Sequence, residues 1–218
     1  MRENSPVDQA YSYIKKLIVT KTLYPGNRIV EEDISRETGI SRTPIRTALL
    51  RLSYEGMVEQ QPNRGSFVAK PSMTDLDQVY ELRVLLEVGA FRAAIRHRSE
   101  ESVSWMRNVL DQQADLEKHF NMVEYASLNR EFHWIIALEA RNPYYEKYLN
   151  ELHNKVSTYL LFWDSSTNGG RSLAIHQRIY EAFCDQDEER GVAALMDDIH
   201  LGQGDIRRSP HILAQALH

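Results

Sequence analysis

Two arginines four residues apart lie in the stretch Ser41-Arg42-Thr43-Pro44-Ile45-Arg46. Residues at that spacing share one face of a helix, so Arg42 and Arg46 would stand side by side. A guanidinium can take guanine O6 and N7 together, or grip a phosphate. The Ser41 and Thr43 hydroxyls, with the free N–H groups of a helix start, also suit a phosphate. Further along, Arg64-Gly65 falls in a turn, where glycine permits close approach to a minor groove. An ordinary solvated helix face carries such an arginine pair too, so the pair alone decides nothing. Arg83 is a second candidate for anion chemistry, because its planar fork matches a carboxylate. The competing partner for Arg83 is Glu87, its neighbour one helical turn on, with Glu81 reaching elsewhere.

The elements that position these residues can be read from periodicity. Ala10, Tyr11, Ile14, Leu17 and Ile18 have helical spacing from Asp8 to about Lys21, and Tyr24-Pro25-Gly26 signals a turn. Glu31 to Thr38 forms a short second helix stopped by Gly39. Ser41 caps a third helix with Pro44 in its first turn, running through Ile45, Ala48, Leu49 and Leu52 to Gly56. Two short helices around a tight glycine turn make a helix-turn-helix. Residues 57–61 and 66–70 then read as two short strands around Pro62-Asn63-Arg64-Gly65, a hairpin wing. In such a module the start of the third helix faces the major groove.

Lys70-Pro71-Ser72-Met73 reads as a linker, and Thr74 as the cap of a long helix to about His97. Apolar residues in that helix include Leu76, Val79, Leu82, Leu85 and Phe91. Helical runs follow at about 99–119, 122–140, 143–164, 170–185 and 187–207, with breaks at Asn142-Pro143 and 165–170. The expected fold is mainly α: a winged helix-turn-helix over 1–70, a linker at 71–74, and an antiparallel six-helix bundle over 75–218. Pockets form readily between the helices of such a bundle.

The totals bound the class. The 218 residues suit one large or two small domains, and 42% hydrophobic content allows a packed core. Net charge is -5, but it is uneven. Residues 1–70 hold 11 Lys/Arg against 8 Asp/Glu, and residues 71–218 hold 15 against 23. A basic module before an acidic one fits nucleic-acid binding by the first alone. Cys184, the single cysteine, excludes an intrachain disulfide. No apolar run reaches membrane-spanning length, and the N-terminus lacks the apolar core of a signal peptide, so a cytoplasmic chain is expected.

Taken together, Leu23-Tyr24-Pro25-Gly26-Asn27-Arg28-Ile29, Gly39 to Arg46, Gly56-Met57-Val58 and Arg64-Gly65-Ser66-Phe67-Val68 resemble the GntR family. That likeness covers residues 7–69. It implies a homodimeric winged helix-turn-helix on a palindromic operator, with DNA contacts at Arg42, Thr43, Arg46 and Gly65. Thr47 departs from the pattern, since the family usually has Glu there.

Glu81-Leu82-Arg83, Leu86-Glu87 and Phe132-His133 resemble the FCD subgroup of that family, more loosely, over 74 to about 207. The subgroup implies a helical bundle with a central cavity, a divalent metal in many members, and small carboxylate effectors such as organic or sugar acids. Its ligand positions, an Asp and three His, fall here on Asn129, His133, His176 and Asp198. Asn129 and His133 share one helix face. Asp198 stands where the last histidine is usual, with His200 the alternative if the register shifts; two residues turn a helix by about 200°, so both cannot point at one ion. Zinc, nickel or manganese would suit such a set, and hydrogen-bonded buried histidines without metal are the competing picture. Arg83 and Arg130 are the candidate effector anchors, with Tyr80 and Trp134 as further lining. His97, His119, His153, His211 and His218 read as surface residues. The expected function is a ligand-responsive regulator, a repressor of a catabolic operon, and not an enzyme. The alternative is a metal-dependent hydrolase or lyase acting on a small acid, with His133, His176 and a carboxylate activating water.

Overall fold

Ala10, Ile14 and Ile18 form a buried row four residues apart, which makes α1 (Pro6–Val19) an amphipathic helix. Ser5 accepts the Asp8 N–H and Pro6 fills the first helical position, so the helix starts earlier than the expected Asp8. The computed structural model describes residues 5–70, 72–162 and 169–208, and its chain divides into two units, 1–71 and 72–218. The first unit continues through β1 (Arg28–Ile29), α2 (Glu31–Thr38), α3 (Arg42–Tyr54), β2 (Val58–Gln61) and β3 (Gly65–Val68). Gly39 takes φ 72° and ends α2, a left-handed conformation that costs glycine little.

Packing, more than the hairpin, holds this unit. Ile14, Ile18, Ile45, Leu49 and Leu52 are essentially fully buried between α1 and α3. Each contributes about 1.5–3 kcal/mol on leaving water. The wing is antiparallel β2–β3, and β1 adds a third strand with Arg28 opposite Phe67 and Ile29 opposite Ser66. β1 was not expected, because two residues are too few to show alternation. Ser41 does occupy the N-cap position of α3, but its hydroxyl makes no capping hydrogen bond. The expected side-chain cap is therefore absent.

The second unit consists of α4 (Met73–His97), α5 (Glu100–Leu116), a 3₁₀ turn (Glu117–His119), α6 (Met122–Glu139), α7 (Pro143–Phe162), α8 (Gly169–Asp185) and α9 (Glu188–Arg207). Ser72, not Thr74, caps α4 by accepting the Asp75 N–H. The expected break over 165–170 lies largely outside the described residues, as do His211 and His218. α4 packs on α6, α7 and α9, while α8 packs on α5 and α9.

The buried face of α4 runs Leu76, Val79, Tyr80, Arg83, Glu87, Ala90, Phe91 and Ala94. Leu82 and Leu85 face outward instead. Two charged residues thus occupy core positions that an apolar stripe would normally fill. Gly191 lets α9 approach α4 closely: a Cβ there would collide with the Phe91 ring. That contact fixes α9 in place two turns before Asp198.

Candidate nucleic-acid interface and candidate metal centre

The first unit presents Ser41, Arg42, Thr43 and Arg46 along the exposed N-terminal part of α3. The carboxylate of Glu31 accepts from Arg46 Nε through both oxygens, at 3.1 and 2.9 Å. Arg42 Nη2 lies 3.3 Å from Glu32. Arg46, Glu31, Gln60, Asn63 and Gly65 line an open groove of about 640 Å³ between the helix and the wing. Gly65 has φ 98°, so a larger residue would be strained there. Exposed Arg64 lies over the Phe67 ring, 5.5 Å from its centroid. Thr47 donates its hydroxyl to the Thr43 carbonyl, a local helix contact. This surface offers an arginine pair, free hydroxyls and a glycine wing tip on one unit, as a duplex-reading module needs.

The second unit encloses a polar centre assembled from six helices. His133 on α6 lies between two carboxylates. Its Nδ1 is 2.8 Å from Glu87 Oε2 and its Nε2 is 3.1 Å from Asp198 Oδ2. Neither contact has the alignment of a hydrogen bond, so both ring nitrogens remain without one. His176 on α8 stacks on Phe132 at 4.2 Å between centroids, and its Nε2 is 3.3 Å from Asp198 Oδ1. Its Nδ1 is 2.9 Å from Gln113 Oε1 on α5. With the amide oxygen as acceptor, the tautomer of His176 that makes this bond has its proton on Nδ1, which would leave the Nε2 lone pair for a cation.

On the far side of His133, Arg83 donates from Nε to Glu87 Oε1 at 2.6 Å. His153 on α7 lies 3.1 Å from the same oxygen through Nε2. His153 is therefore a buried part of the centre and not the surface residue expected. It falls between Leu152 and Val156 on the buried stripe of α7. Gln113 was not anticipated as a site feature, and Glu87 was weighed only as the partner of Arg83, not as a carboxylate shared with His133 and His153. Arg83 does pair with Glu87, yet among the described residues its buried Nη2 has no hydrogen-bond partner.

Arg83, Asn129, Asp198, Tyr80, Tyr125 and Ser172 line a cavity of about 20 Å³. That is room for about one water molecule. Asp198 is buried and turned to the centre, whereas His200 is exposed. Arg130 is not brought to this cavity: it donates to Asn150 and lies over the Trp134 ring.

Burial and charge act in opposition here. Burial disfavours protonated His133, but the Glu87 and Asp198 carboxylates outweigh it and raise its pKa to about 9. Burial resists ionised Asp198 as well, yet His176 and His133 hold its carboxyl well below the usual range. Arg83 and His133 do the same for Glu87. Burial pushes His153 down to about 4, with Arg83 and His133 adding repulsion.

The donor set fits a divalent cation. Ligand atoms of His133, His176 and Asp198 lie within 4.8 Å of one another, all on buried residues. Asn129 lines the same cavity, and its amide oxygen is a further possible ligand. The Gln113 contact holds His176 in the tautomer that such a site requires.

Comparison with known proteins agrees with this architecture. Residues 6–68 match the family described as bacterial regulatory proteins, gntR family, and residues 78–201 match the FCD domain. The HTH-type transcriptional regulator YdhC of Bacillus subtilis is 25% identical over 183 residues, which span 83% of this chain and 82% of that one. The Nta operon transcriptional regulator of Aminobacter aminovorans is 27% identical over 175 residues, spanning 80% and 82%. Escherichia coli McbR/YncC has the same fold, with a TM-score of 0.77 at 19% identity over 94% of this chain and 98% of its own. A GntR regulator from a Rhodococcus species gives 0.75 at 20% identity over 93% and 97%. Among the described residues, no helix is long and apolar enough to cross a membrane. The family and these relatives are transcriptional regulators rather than enzymes, which sets aside the hydrolase or lyase alternative. The chain belongs to the GntR family of bacterial regulatory proteins, in its FCD-domain branch, and is a DNA-binding transcriptional regulator.

Proposed function

We propose that this regulator is a cytoplasmic homodimeric repressor of a catabolic operon, controlled by a small carboxylate bound beside a divalent metal in the bundle. The observation that carries the reading is Arg83 Nη2, a buried cationic donor without a hydrogen-bond partner among the described residues, at a cavity shared with Asp198 and Asn129. His133 Nε2, His176 Nε2, an Asp198 oxygen and the Asn129 amide oxygen would hold zinc, nickel or manganese. The metal would supply a positive charge to which a carboxylate could bind.

Charge balance supports an anionic occupant. Arg83, Glu87 and Asp198 carry one positive and two negative charges, which a protonated His133 neutralises. A divalent ion with neutral histidines would leave a net of one positive charge, and one carboxylate would cancel it. The cavity's volume of about 20 Å³ is smaller than any such acid. An acid therefore enters only when the side chains lining the cavity give way. Binding would then favour a different population of the bundle and, in the dimer, a different separation of the DNA units. Repression agrees with one relative, the HTH-type transcriptional repressor RspR of Escherichia coli, which is 26% identical over 62% of this chain and 60% of its own.

A melting screen tests this reading. Metal-stripped and metal-loaded protein would be heated with mono- and dicarboxylic acids and sugar acids. The expected result is a selective, metal-dependent rise in melting temperature for one acid class. His133→Ala should lower metal content while the DNA unit stays folded. No rise with any acid in either state, or full metal content in His133→Ala, would contradict the proposal.

A further inference from the structure

We infer that Glu31 is a positioning residue for Arg46, and that it sets how strictly the recognition helix discriminates among sequences. The inference rests on Arg46 reading a base. Glu31 is the first residue of α2, and Glu32 and Asp33 complete an acidic first turn. The helix N-terminus favours ionised carboxylates there. From that place Glu31 grips Arg46 through Nε alone, with both oxygens. Among the described residues, the two Nη groups of Arg46 have no hydrogen bond, and its side chain remains 67% exposed. The grip thus removes one edge of the guanidinium and leaves the other, the pair of parallel donors that fits guanine O6 and N7.

Charge sharpens the effect. A free arginine is drawn to phosphate by long-range attraction, whatever the sequence. Paired with Glu31, Arg46 is locally neutral, so a phosphate gains little from it. A guanine edge needs only two aligned donors, which the pair still offers. Glu31 also lines the groove that holds Arg46 and Gly65, where its own charge repels any backbone phosphate placed out of register. Glu32 treats Arg42 in the same way more loosely, through a single contact at 3.3 Å.

The test uses the full chain and two duplexes: one selected by the unmodified protein from a randomised pool, and a shuffled version of it. Affinities are read by fluorescence anisotropy at several salt concentrations. Glu31→Gln should reduce discrimination between the duplexes by roughly tenfold, chiefly by tighter binding of the shuffled one. The lost preference should fall on the same base pairs that Arg46→Ala loses. If Arg46→Ala loses preference and Glu31→Gln keeps it all, the positioning role is overturned. If Arg46→Ala itself keeps full discrimination, base reading by Arg46 fails first, and the inference fails with it.

Discussion

The two units use charged residues in opposite ways. The DNA unit keeps its arginines outside, Arg42 paired with exposed Glu32 and Arg46 with half-buried Glu31. The bundle puts Arg83, Glu87 and Asp198 inside, among histidines and aromatic rings. Surface pairs contribute about 0–1 kcal/mol to stability, and the Glu31 grip on Nε leaves the outer edge of Arg46 open. A buried pair is expensive to break, because one partner's loss strands the other's charge. The first arrangement suits a surface that presents its remaining donors to DNA. The second suits a switch, since its groups are satisfied only in particular combinations.

Substitutions inside the bundle should give the largest effect. Glu87→Ala leaves Arg83 buried without its partner and should cost about 3–5 kcal/mol in thermal or urea unfolding. A loss below about 1 kcal/mol would mean that the pair is solvated and that the contrast with the DNA unit is false. Next comes the packing that holds the centre together. Gly191→Ala places a Cβ into the Phe91 ring and should cost about 1–3 kcal/mol. Metal content should fall with it if α9 carries Asp198 away. The smallest effect on stability belongs to the exposed arginine. Arg46→Ala should change stability by less than about 0.5 kcal/mol yet weaken specific duplex binding by about 1–3 kcal/mol. Equal losses of stability and binding in that variant would show that Arg46 is structural.

The same contrast explains what was legible in the sequence. The DNA unit is encoded locally. Gly39, Ser41, Pro44 and Gly65 mark the turns and helix starts within a few residues of the arginines they place. The bundle's helices were equally readable from periodicity, because each buries one stripe. Periodicity does not show its polar centre, which draws single residues from six helices; the family resemblance alone pointed to Arg83, Asn129, His133, His176 and Asp198, which the structure brings together. Arg83 and Glu87 look like an ordinary solvated pair one turn apart. Periodicity counts Leu82 and Leu85 among the apolar stripe, whereas packing puts Arg83 and Glu87 in the core and turns both leucines outward. His153 was recoverable: Leu149, Leu152 and Val156 put it on the buried stripe of α7, and that spacing should have weighed against a surface place. Gln113 gives no sequence signal at all, since a polar residue on an amphipathic helix reads as solvated.

Occupancy of the buried centre should change DNA binding. The most direct measurement is the affinity of metal-loaded protein for its selected duplex while the acid panel is titrated in. The predicted result is that one class of acid shifts the affinity by at least about fivefold, a typical coupling between sites. Arg83→Gln should abolish the shift in protein that circular dichroism shows to be folded. An affinity indifferent to every acid, or a shift that persists in Arg83→Gln, would contradict it.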